Sequence, residues 1–299
     1  MPTEKKISKA AETKQLAPSE HNDPANTLPL VAEQPRQLEP GEHPFLSSDV
    51  TLIPGAHLIL VANDKGGIGK SCAAIELYLA CLLAGISVIL VTYDGSNNTL
   101  AVAFGDKSKI TYLNIADLTQ TGLCNVMDAA EKANAVVVID TPAGYSDPGH
   151  PLIAALKRSG VFAGENSIAA YIPAKPDSDA IQGALKALAV MPIKFSRGLI
   201  RAWRHDPMAP DWADFPGWAA LTAEFPVWNL GDWLPSTTAI IHHTGDFAEF
   251  PGLDDLHEFT ETSGGTLPRR QRKALVATLA HFDEAGRMIY QHLLKPLIA

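Results

Sequence analysis

The chain has 299 residues, of which 46% are hydrophobic, so it holds enough apolar material for a sizeable core. Its formal net charge of −9 argues against a uniformly basic surface that coats DNA. It has neither the apolar core of a secretory signal nor a run of about 18 apolar residues for a membrane span, so we expect a cytoplasmic protein that does not enter a membrane.

The first 47 residues differ in composition from the rest of the chain. Glu, Pro, Ala and Gln are scattered through them without sustained hydrophobic periodicity, which is typical of a segment that cannot bury a core. We therefore predict a disordered tail over residues 1–47, followed by one large domain over residues 48–299.

The first predicted elements are a strand, a glycine-rich loop and a helix. His57–Ala62 is short, apolar and partly β-branched, as buried strands are. Ser71–Ala84 is almost wholly apolar, lacks Gly and Pro and is closed by Gly85, which predicts a buried helix. A glycine loop before a helix predicts an anion site, because free N–H groups and the positive end of the helix dipole converge there. Lys70 can then reach the β- and γ-phosphates of a nucleotide, and the Ser71 hydroxyl can ligate Mg²⁺.

The glycine-rich loop carries two lysines. Asn63–Ala74 reads NDKGGIGKSCAA, which departs from the strict pattern G-x-x-x-x-G-K-[ST] because Asp64 stands at its first position. It fits K-G-G-x-G-K-S instead, and it resembles the deviant Walker A loop of the ParA/MinD family of ATPases. In that family the extra lysine, here Lys65, crosses a dimer interface to the ATP of the partner subunit, so the resemblance implies a nucleotide sandwich dimer with Lys65 and Lys70 as catalytic residues. The ATP-binding residues that it implies are Lys65, Gly66, Gly67, Ile68, Gly69, Lys70, Ser71 and Cys72.

Two later strands lead to acidic residues. Ser87–Thr92 precedes Asp94, and Ala135–Ile139 precedes Asp140 in the run DTPAG. The first resembles the D-x-D of the same family with a threonine in place of the first aspartate, and the second resembles its Walker B motif, D-[ST]-P-x-G. The resemblance implies that Asp94 is catalytic and positions the attacking water. The magnesium ligands that it implies are Ser71, Asp94 and Asp140.

The order of the elements predicts the fold class. A fourth strand, Ser167–Ile172, runs into a proline-bearing loop over residues 173–177 that is similar to the loop after the next strand of the family. Strands that alternate with helices indicate a parallel sheet covered on both faces. We therefore predict an α/β fold, a P-loop NTPase with a mostly parallel sheet and helices on both faces.

The three cysteines, Cys72, Cys81 and Cys124, form no C-x-x-C pair. We expect them to act as small buried hydrophobic residues rather than as redox or metal groups. This spacing also argues against the iron–sulfur nitrogenase reductases, which are relatives of the ParA/MinD family that use cysteines at their dimer interface.

All five tryptophans lie within residues 203–233. We predict aromatic packing around a loop-rich insertion, and the alternative is a partner-binding surface or an adenine pocket. Trp203 and Arg204 stand roughly where the family has an asparagine beside the base, which leaves the base specificity open. His242 and His243 have no clear third ligand nearby, so we interpret them as surface or core histidines rather than as a metal site.

A basic run opens the last predicted helix. It contains Arg269, Arg270, Arg272 and Lys273. A charged run usually forms a solvated face, but cations at a helix N-terminus are electrostatically unfavourable. The alternative is therefore that the run contacts DNA or an acidic partner. The helix places Leu275, Leu279, Phe282, Ile289 and Leu293 on roughly one face. Core packing of that face is favoured over a membrane-targeting tail, because Asp283 and Glu284 interrupt the polar side.

Three further segments resemble a plasmid-borne branch of the superfamily, the TraL/StbC-like conjugal transfer and stability ATPases. They are HPLIAALKRSGVF over residues 150–162, HTGDF over residues 243–247 and the helix start RRQRKALV. The resemblance implies a slow, partner-stimulated Mg-ATP-dependent switch in plasmid partition, maintenance or conjugal transfer. It also implies an ATP-dependent homodimer, with DNA and a plasmid-encoded protein as possible partners.

Two alternative functions are compatible with these residues. Thr92, in place of an expected aspartate, is compatible with an adaptor that binds a nucleotide without hydrolysing it. A metabolic P-loop ligase of the dethiobiotin synthetase kind is the other alternative, but such enzymes generally lack a lysine at the position of Lys65.

Overall fold

The computed structural model describes most of the chain after residue 49. The described residues are 50–93, 100, 110–112, 120–158, 168–191, 195–204, 211–231, 281 and 284–299. The predicted tail, Asp94, the His242–His243 pair and the basic run at 269–273 lie outside the described residues.

The described residues form a seven-stranded sheet in which every pair of neighbouring strands is parallel. Its strands are β1 (His57–Val61), β2 (Ser87–Thr92), β3 (Ile110–Tyr112), β4 (Ala135–Asp140), β5 (Ile168–Ala174), β6 (Arg197–Arg204) and β7 (Val227–Gly231). The strand order is β3-β2-β4-β1-β5-β6-β7, which places β1 at the centre between β4 and β5.

Helices cover both faces of this sheet. They are α1 (Lys70–Leu83), α2 (Gln120–Lys132), α3 (Pro151–Arg158), α4 (Ser178–Ala189) and α5 (Trp218–Glu224), and the described part of the C-terminal helix includes residues 281 and 284–289. The C-terminal helix continues into a π-helical turn, Tyr290–Leu294, and a 3₁₀ turn, Lys295–Leu297. One core cluster joins α1 and the C-terminal helix to the sheet, and a second joins α2, α3 and α4 to it. The predicted α/β class, with a parallel sheet and helices on both faces, is confirmed.

The strand and helix ends differ slightly from the sequence prediction. The helix after the glycine loop begins at Lys70, one residue earlier than expected. β5 extends to Ala174 and so includes Pro173, which donates no backbone hydrogen bond. Proline is tolerated there because β1 pairs with β5 only as far as Tyr171. The short strand β3 was not predicted.

The tryptophan-rich segment is not loop-rich between Asp211 and Gly231. It contains a 3₁₀ turn, α5 and β7, the edge strand beside β6. The rings of Trp212 and Trp218 stack with their centroids 4.3 Å apart, and Trp228 is buried in the sheet. These tryptophans pack within the fold because their strand and helix continue the sheet architecture.

Apolar packing also accounts for the described part of the last helix and for one cysteine. Ile289 and Leu293 are fully buried, as core packing of that face predicts. Cys81 is buried and Cys72 is partly buried, and burial raises the pKa of both thiols to about 12. No helix in the described part of the chain is long and apolar enough to cross a membrane.

A charged cluster is buried beneath α1. Arg201 of β6 donates to both carboxylate oxygens of Glu76, with distances of 2.8–3.0 Å, and the Tyr171 hydroxyl donates to the same carboxylate at 2.8 Å. The Nε2 atom of His281 lies 2.8 Å from this carboxylate. Burial by itself would raise the pKa of Glu76, but Arg201 and His281 lower it to about 2. The cluster therefore ties the P-loop helix to β5, β6 and the C-terminal helix.

Substituting Glu76→Gln should lower the free energy of unfolding in urea by about 3–5 kcal/mol, because it leaves the Arg201 charge buried without its carboxylate. The double variant Glu76→Met/Arg201→Met should recover part of this loss, because both charges leave the core together. Glu131→Gln, on the exposed side of α2, is the matched control and should change stability by less than about 0.5 kcal/mol.

The lowered pKa of Glu76 predicts that the protein loses stability in acid. The folded pKa of Glu76 is lowered from 4.5 to about 2, so its stabilising contribution is complete above pH 4.5 and is lost as the pH falls towards 2. The loss of stability over this interval should be smaller in Glu76→Gln than in the wild type. An equal loss in both proteins would contradict the assignment.

Candidate nucleotide-binding site

The glycine loop leaves the carboxyl end of β1 at the centre of the sheet and ends at α1. Gly67 has φ +67° and Gly69 has φ +92°, values that L side chains rarely adopt. Gly69 is the N-cap of α1 and supplies no side-chain cap. The first N–H groups of α1 have no partner within the helix itself, so this end of the helix suits an anion such as a phosphate.

Lys70 lies within this loop. It is the first residue of α1, it is 8% exposed, and its Nζ donates to the backbone carbonyl of Lys65 at 2.7 Å. Its ammonium group therefore lies over the loop backbone, where a phosphate would meet it.

Ser71 and Asp140 meet at the carboxyl end of the sheet. The Ser71 hydroxyl donates to Oδ2 of Asp140 at 2.8 Å, and Asp140 is 4% exposed. A hydroxyl and a carboxylate are oxygen donors of the kind that Mg²⁺ prefers, and Mg²⁺ usually completes its shell with water and phosphate oxygens. The described residues contain no group of three or more His, Cys, Asp or Glu side chains that could hold a metal ion. These two residues fit a magnesium ion that is bound together with a nucleotide.

Thr92 lies on the strand beside Asp140. It stands where the related D-x-D motif has its first aspartate. Thr92 ends β2 directly opposite Asp140 in the parallel register and is 3% exposed. Asp94, which is expected to position the attacking water, lies outside the described residues, so its role stays a prediction.

The residues that follow β4 contact the end of β1 and the glycine loop. The Thr141 hydroxyl donates to the carbonyl of Val61 at the end of β1. Gly144 has φ +76°, and its N–H donates to the carbonyl of Asp64 at 3.0 Å. The DTPAG run therefore lies directly against the loop.

Lys65 forms its ion pairs within the same chain. Its Nζ forms a 2.7 Å ion pair with Asp177, and Asp179 lies 3.9 Å away. Partial burial would raise the pKa of Asp177, but hydrogen bonds from Lys65 and from the Ala180 N–H lower it. Asp177 also caps α4, so the extra lysine of the loop is anchored at the N-terminus of that helix.

Asn63 anchors the front of the loop. Its amide group donates to the carbonyls of Pro173 at 2.8 Å and Ala180 at 3.0 Å, and its Oδ1 accepts from the N–H of Lys65 at 2.9 Å. Asn63 is fully buried, so these bonds compensate its lost hydration. A Cβ on Gly183 of α4 would lie 2.7 Å from Oδ1 of Asn63, so α4 approaches the loop closely.

The residues that support the loop are not among those that the motifs indicate. The motifs indicate phosphate and metal residues but not Asn63, Gly183 or Glu76. Two of these had a detectable signal, since an asparagine directly after an apolar strand and a glutamate inside an apolar helix both need buried partners. The role of Gly183 depends on the contact between α4 and the loop, which the sequence does not show.

Comparisons with known proteins agree with the resemblance. Residues 57–140, less than a third of the chain, match the family model described as ATPase MipZ. This segment runs from β1 through the loop to Asp140, and the match supports the ParA/MinD type of ATPase. No curated protein sequence matches the chain.

Several solved structures resemble the fold at low identity. The septum site-determining protein MinD from Pyrococcus horikoshii, complexed with Mg-ADP, is 14% identical with a TM-score of 0.49, over 78% of this chain and 95% of that one. A chain of the MinC:MinD cell division protein complex from Aquifex aeolicus is 12% identical with a TM-score of 0.45, over 76% of this chain and 95% of that one. A ParA family ATPase from Chlorobium tepidum is 13% identical with a TM-score of 0.43, over 76% and 100%.

Substituting Gly183→Ala should weaken ADP binding about fivefold or more in calorimetry. The added methyl group overpacks against Asn63 and the N–H of Lys65, 3.1 Å away, at a cost of about 1–3 kcal/mol that displaces the loop. Gly149→Ala is the matched control, because its methyl group would meet Asp147 at 3.4 Å and should leave affinity unchanged. Equal affinities in the two variants would show that α4 does not support the loop.

Proposed function

We propose that this chain is a Mg-ATP-dependent, dimerising ATPase switch of the ParA/MinD type. One observation carries the proposal: Lys70, Ser71 and Asp140 converge at a glycine loop whose front carries a second lysine, Lys65. The MipZ family-model match over the same segment supports it.

The chain's own residues would bind ATP as follows. The loop N–H groups and the first turn of α1 hold the phosphate oxygens, and Lys70 adds a positive charge beside them. A bound Mg²⁺ would neutralise charge on the β- and γ-phosphates, with Ser71 and Asp140 as its protein contacts. The loop after Asp140 packs against the P-loop, so it is placed to respond to the γ-phosphate.

Lys65 would act between subunits. In a single subunit it is paired with Asp177, and its side chain is 33% exposed. To reach the ATP of a second copy it must leave Asp177, so the ion pair in the resting subunit competes with the contact across the dimer. ATP would favour the dimer by offering Lys65 a phosphate in place of a carboxylate.

The cellular role that we propose is plasmid partition, plasmid maintenance or conjugal DNA transfer in the cytoplasm, as in the TraL/StbC-like branch. The ATP-bound dimer would engage DNA or a plasmid-encoded partner, and slow hydrolysis would release it. The basic residues Arg269, Arg270, Arg272 and Lys273 are the proposed contact, because they are the densest cationic run of an acidic chain.

One observation favours a second candidate function, a nucleotide-binding adaptor that does not hydrolyse ATP. Thr92 is buried at the end of β2, opposite Asp140, where the related motif has an aspartate. This candidate and the switch share ATP binding and dimerisation, and they differ in whether a single turnover occurs.

Substitutions of the two lysines should have different effects on ATP binding and dimerisation. Lys70→Ala should abolish ATP binding in calorimetry, because the phosphates lose their principal cation. Lys65→Ala should still bind ATP yet stay monomeric in light scattering, because its lost contact lies across the interface. Asp177→Asn, which keeps an N-cap for α4 but removes the charge that holds Lys65, should dimerise at a lower ATP concentration than the wild type.

Lys157→Ala, an exposed lysine of α3, is the matched control and should behave as the wild type. Unchanged ATP affinity in Lys70→Ala would refute the nucleotide site. A Lys65→Ala variant that dimerises with ATP as the wild type does would refute the sandwich dimer.

Hydrolysis should be slow, below about 1 s⁻¹, because one carboxylate rather than two would orient water. Asp94→Ala should stop turnover and trap the ATP-bound dimer.

The trapped dimer should bind DNA with an affinity that falls as salt rises, and charge reversal at Arg269, Arg270 and Arg272 should remove this binding but leave ATP binding intact.

Single-turnover hydrolysis distinguishes the outcomes. No turnover by the wild type would favour the adaptor, and an Asp94→Ala variant that hydrolyses ATP at the wild-type rate would exclude a catalytic role for Asp94. Normal DNA binding by the arginine variant would place the DNA contact elsewhere.

A further inference from the structure

Asp64 of the P-loop joins three parts of the site. Its backbone N–H donates to the carbonyl of Gly183 at 3.2 Å, and its backbone carbonyl accepts from the N–H of Gly144. Its carboxylate accepts from the N–H of Ser146 at 3.0 Å and from Nζ of Lys186 at 3.1 Å. The P-loop, the loop after β4 and α4 therefore all contact this one residue.

The carboxylate of Asp64 is largely shielded, whereas its cationic partner is not. The Asp64 side chain is 13% exposed and the Lys186 side chain is 60% exposed. Partial burial would raise the pKa of Asp64, but hydrogen bonds from Ser146 and Lys186 lower it. Asp64 is therefore ionised at neutral pH and pairs with a lysine that solvent and salt still reach.

Two consecutive P-loop residues are tied to α4 by ion pairs of opposite polarity. Lys65 pairs with Asp177 at the N-cap of α4, and Asp64 pairs with Lys186 about two and a half turns further along the helix. Residues 63–65 are thus held against α4 at two separated points. Because Asp64 and Lys65 share a peptide bond, a backbone movement that carries Lys65 away from α4 would also pull Asp64 away from Lys186.

We infer that Asp64 is a positioning residue whose ion pair with Lys186 holds the front of the P-loop against α4 and thereby restrains ATP-dependent dimerisation. The inference rests on the proposed function, because it concerns the release of Lys65 towards a second copy. Asp64 acts through the backbone it shares with Lys65, and the bond from Ser146 connects this restraint to the loop after Asp140. Weakening the pair should make the release of Lys65 easier.

The experiment measures the ATP concentration that gives half-maximal dimer in light scattering, using the full chain. Asp64→Asn keeps an oxygen for the N–H of Ser146 but removes the charge, and Lys186→Gln removes the charge from the other side. Each should lower the half-maximal ATP concentration about twofold to fivefold, the range expected for a partly exposed ion pair. The double variant should show the shift of one single variant rather than the product of two.

Two controls separate this effect from a general change in charge or in nucleotide affinity. Asp128→Asn on α2 and Lys157→Gln on α3 change the charge equally at exposed positions and should leave the half-maximal ATP concentration unchanged. ADP affinity, measured by calorimetry in every variant, separates a change in dimerisation from a change in nucleotide binding, and the two exposed control variants should match the wild type. Raising the salt concentration should bring the wild type towards the variants, because salt screens the exposed pair.

The outcomes distinguish this inference from the proposed function. If the wild type stays monomeric with ATP, the proposed function is wrong and the inference falls with it. If the wild type dimerises but the single variants do not shift the half-maximal ATP concentration, or the double variant shows the full product of both shifts, only the inference is overturned.

Discussion

The nucleotide site depends on how one buried amide, that of Asn63, anchors the end of β1. Its bonds to Pro173 and Ala180 and its acceptance of the Lys65 N–H fix the chain direction at the point where the strand becomes the P-loop. A buried amide without these partners would cost about 1–3 kcal/mol for each lost bond, so the loop conformation and the position of α4 are specified together. The position of Lys65 at the front of the loop therefore depends on the buried amide of Asn63.

A second constraint acts from the opposite face of the sheet. The Glu76 and Arg201 pair lies under α1, beyond the first turn that would hold the phosphates, and it joins this helix to the sheet through charge-assisted bonds. Apolar packing alone lets a helix slide or rotate at modest cost, whereas a buried bidentate pair allows one register. The P-loop is therefore positioned from both sides, by Asn63 at its front and by Glu76 behind its helix.

Local patterns in the sequence predict the central part of this architecture well. β2 has its predicted ends, and Ser71 and Asp140 meet as their motifs imply, because apolar strands and glycine loops follow from nearest-neighbour chemistry. The supports are different, since Glu76 and Arg201 are 125 residues apart and their pairing depends on strand order. The tryptophan-rich segment was interpreted as a loop-rich insertion because aromatic content does not distinguish a loop surface from the edge strand β7 that it partly forms.

The small free energy of the ion pair between Lys65 and Asp177 suits the proposed switch. This pair is partly exposed on both sides and is therefore worth at most about 1 kcal/mol, a bias of about fivefold towards the resting arrangement. In the proposed switch, such a bias would keep most subunits in the resting state without preventing dimerisation when a nucleotide offers several charge-assisted bonds at once. A fully buried pair, like that of Glu76, would cost several kcal/mol to break and would lock the lysine in place. The same chemical pairing thus serves as a permanent anchor beneath α1 and as a releasable one beside α4, and the difference lies in solvent exposure.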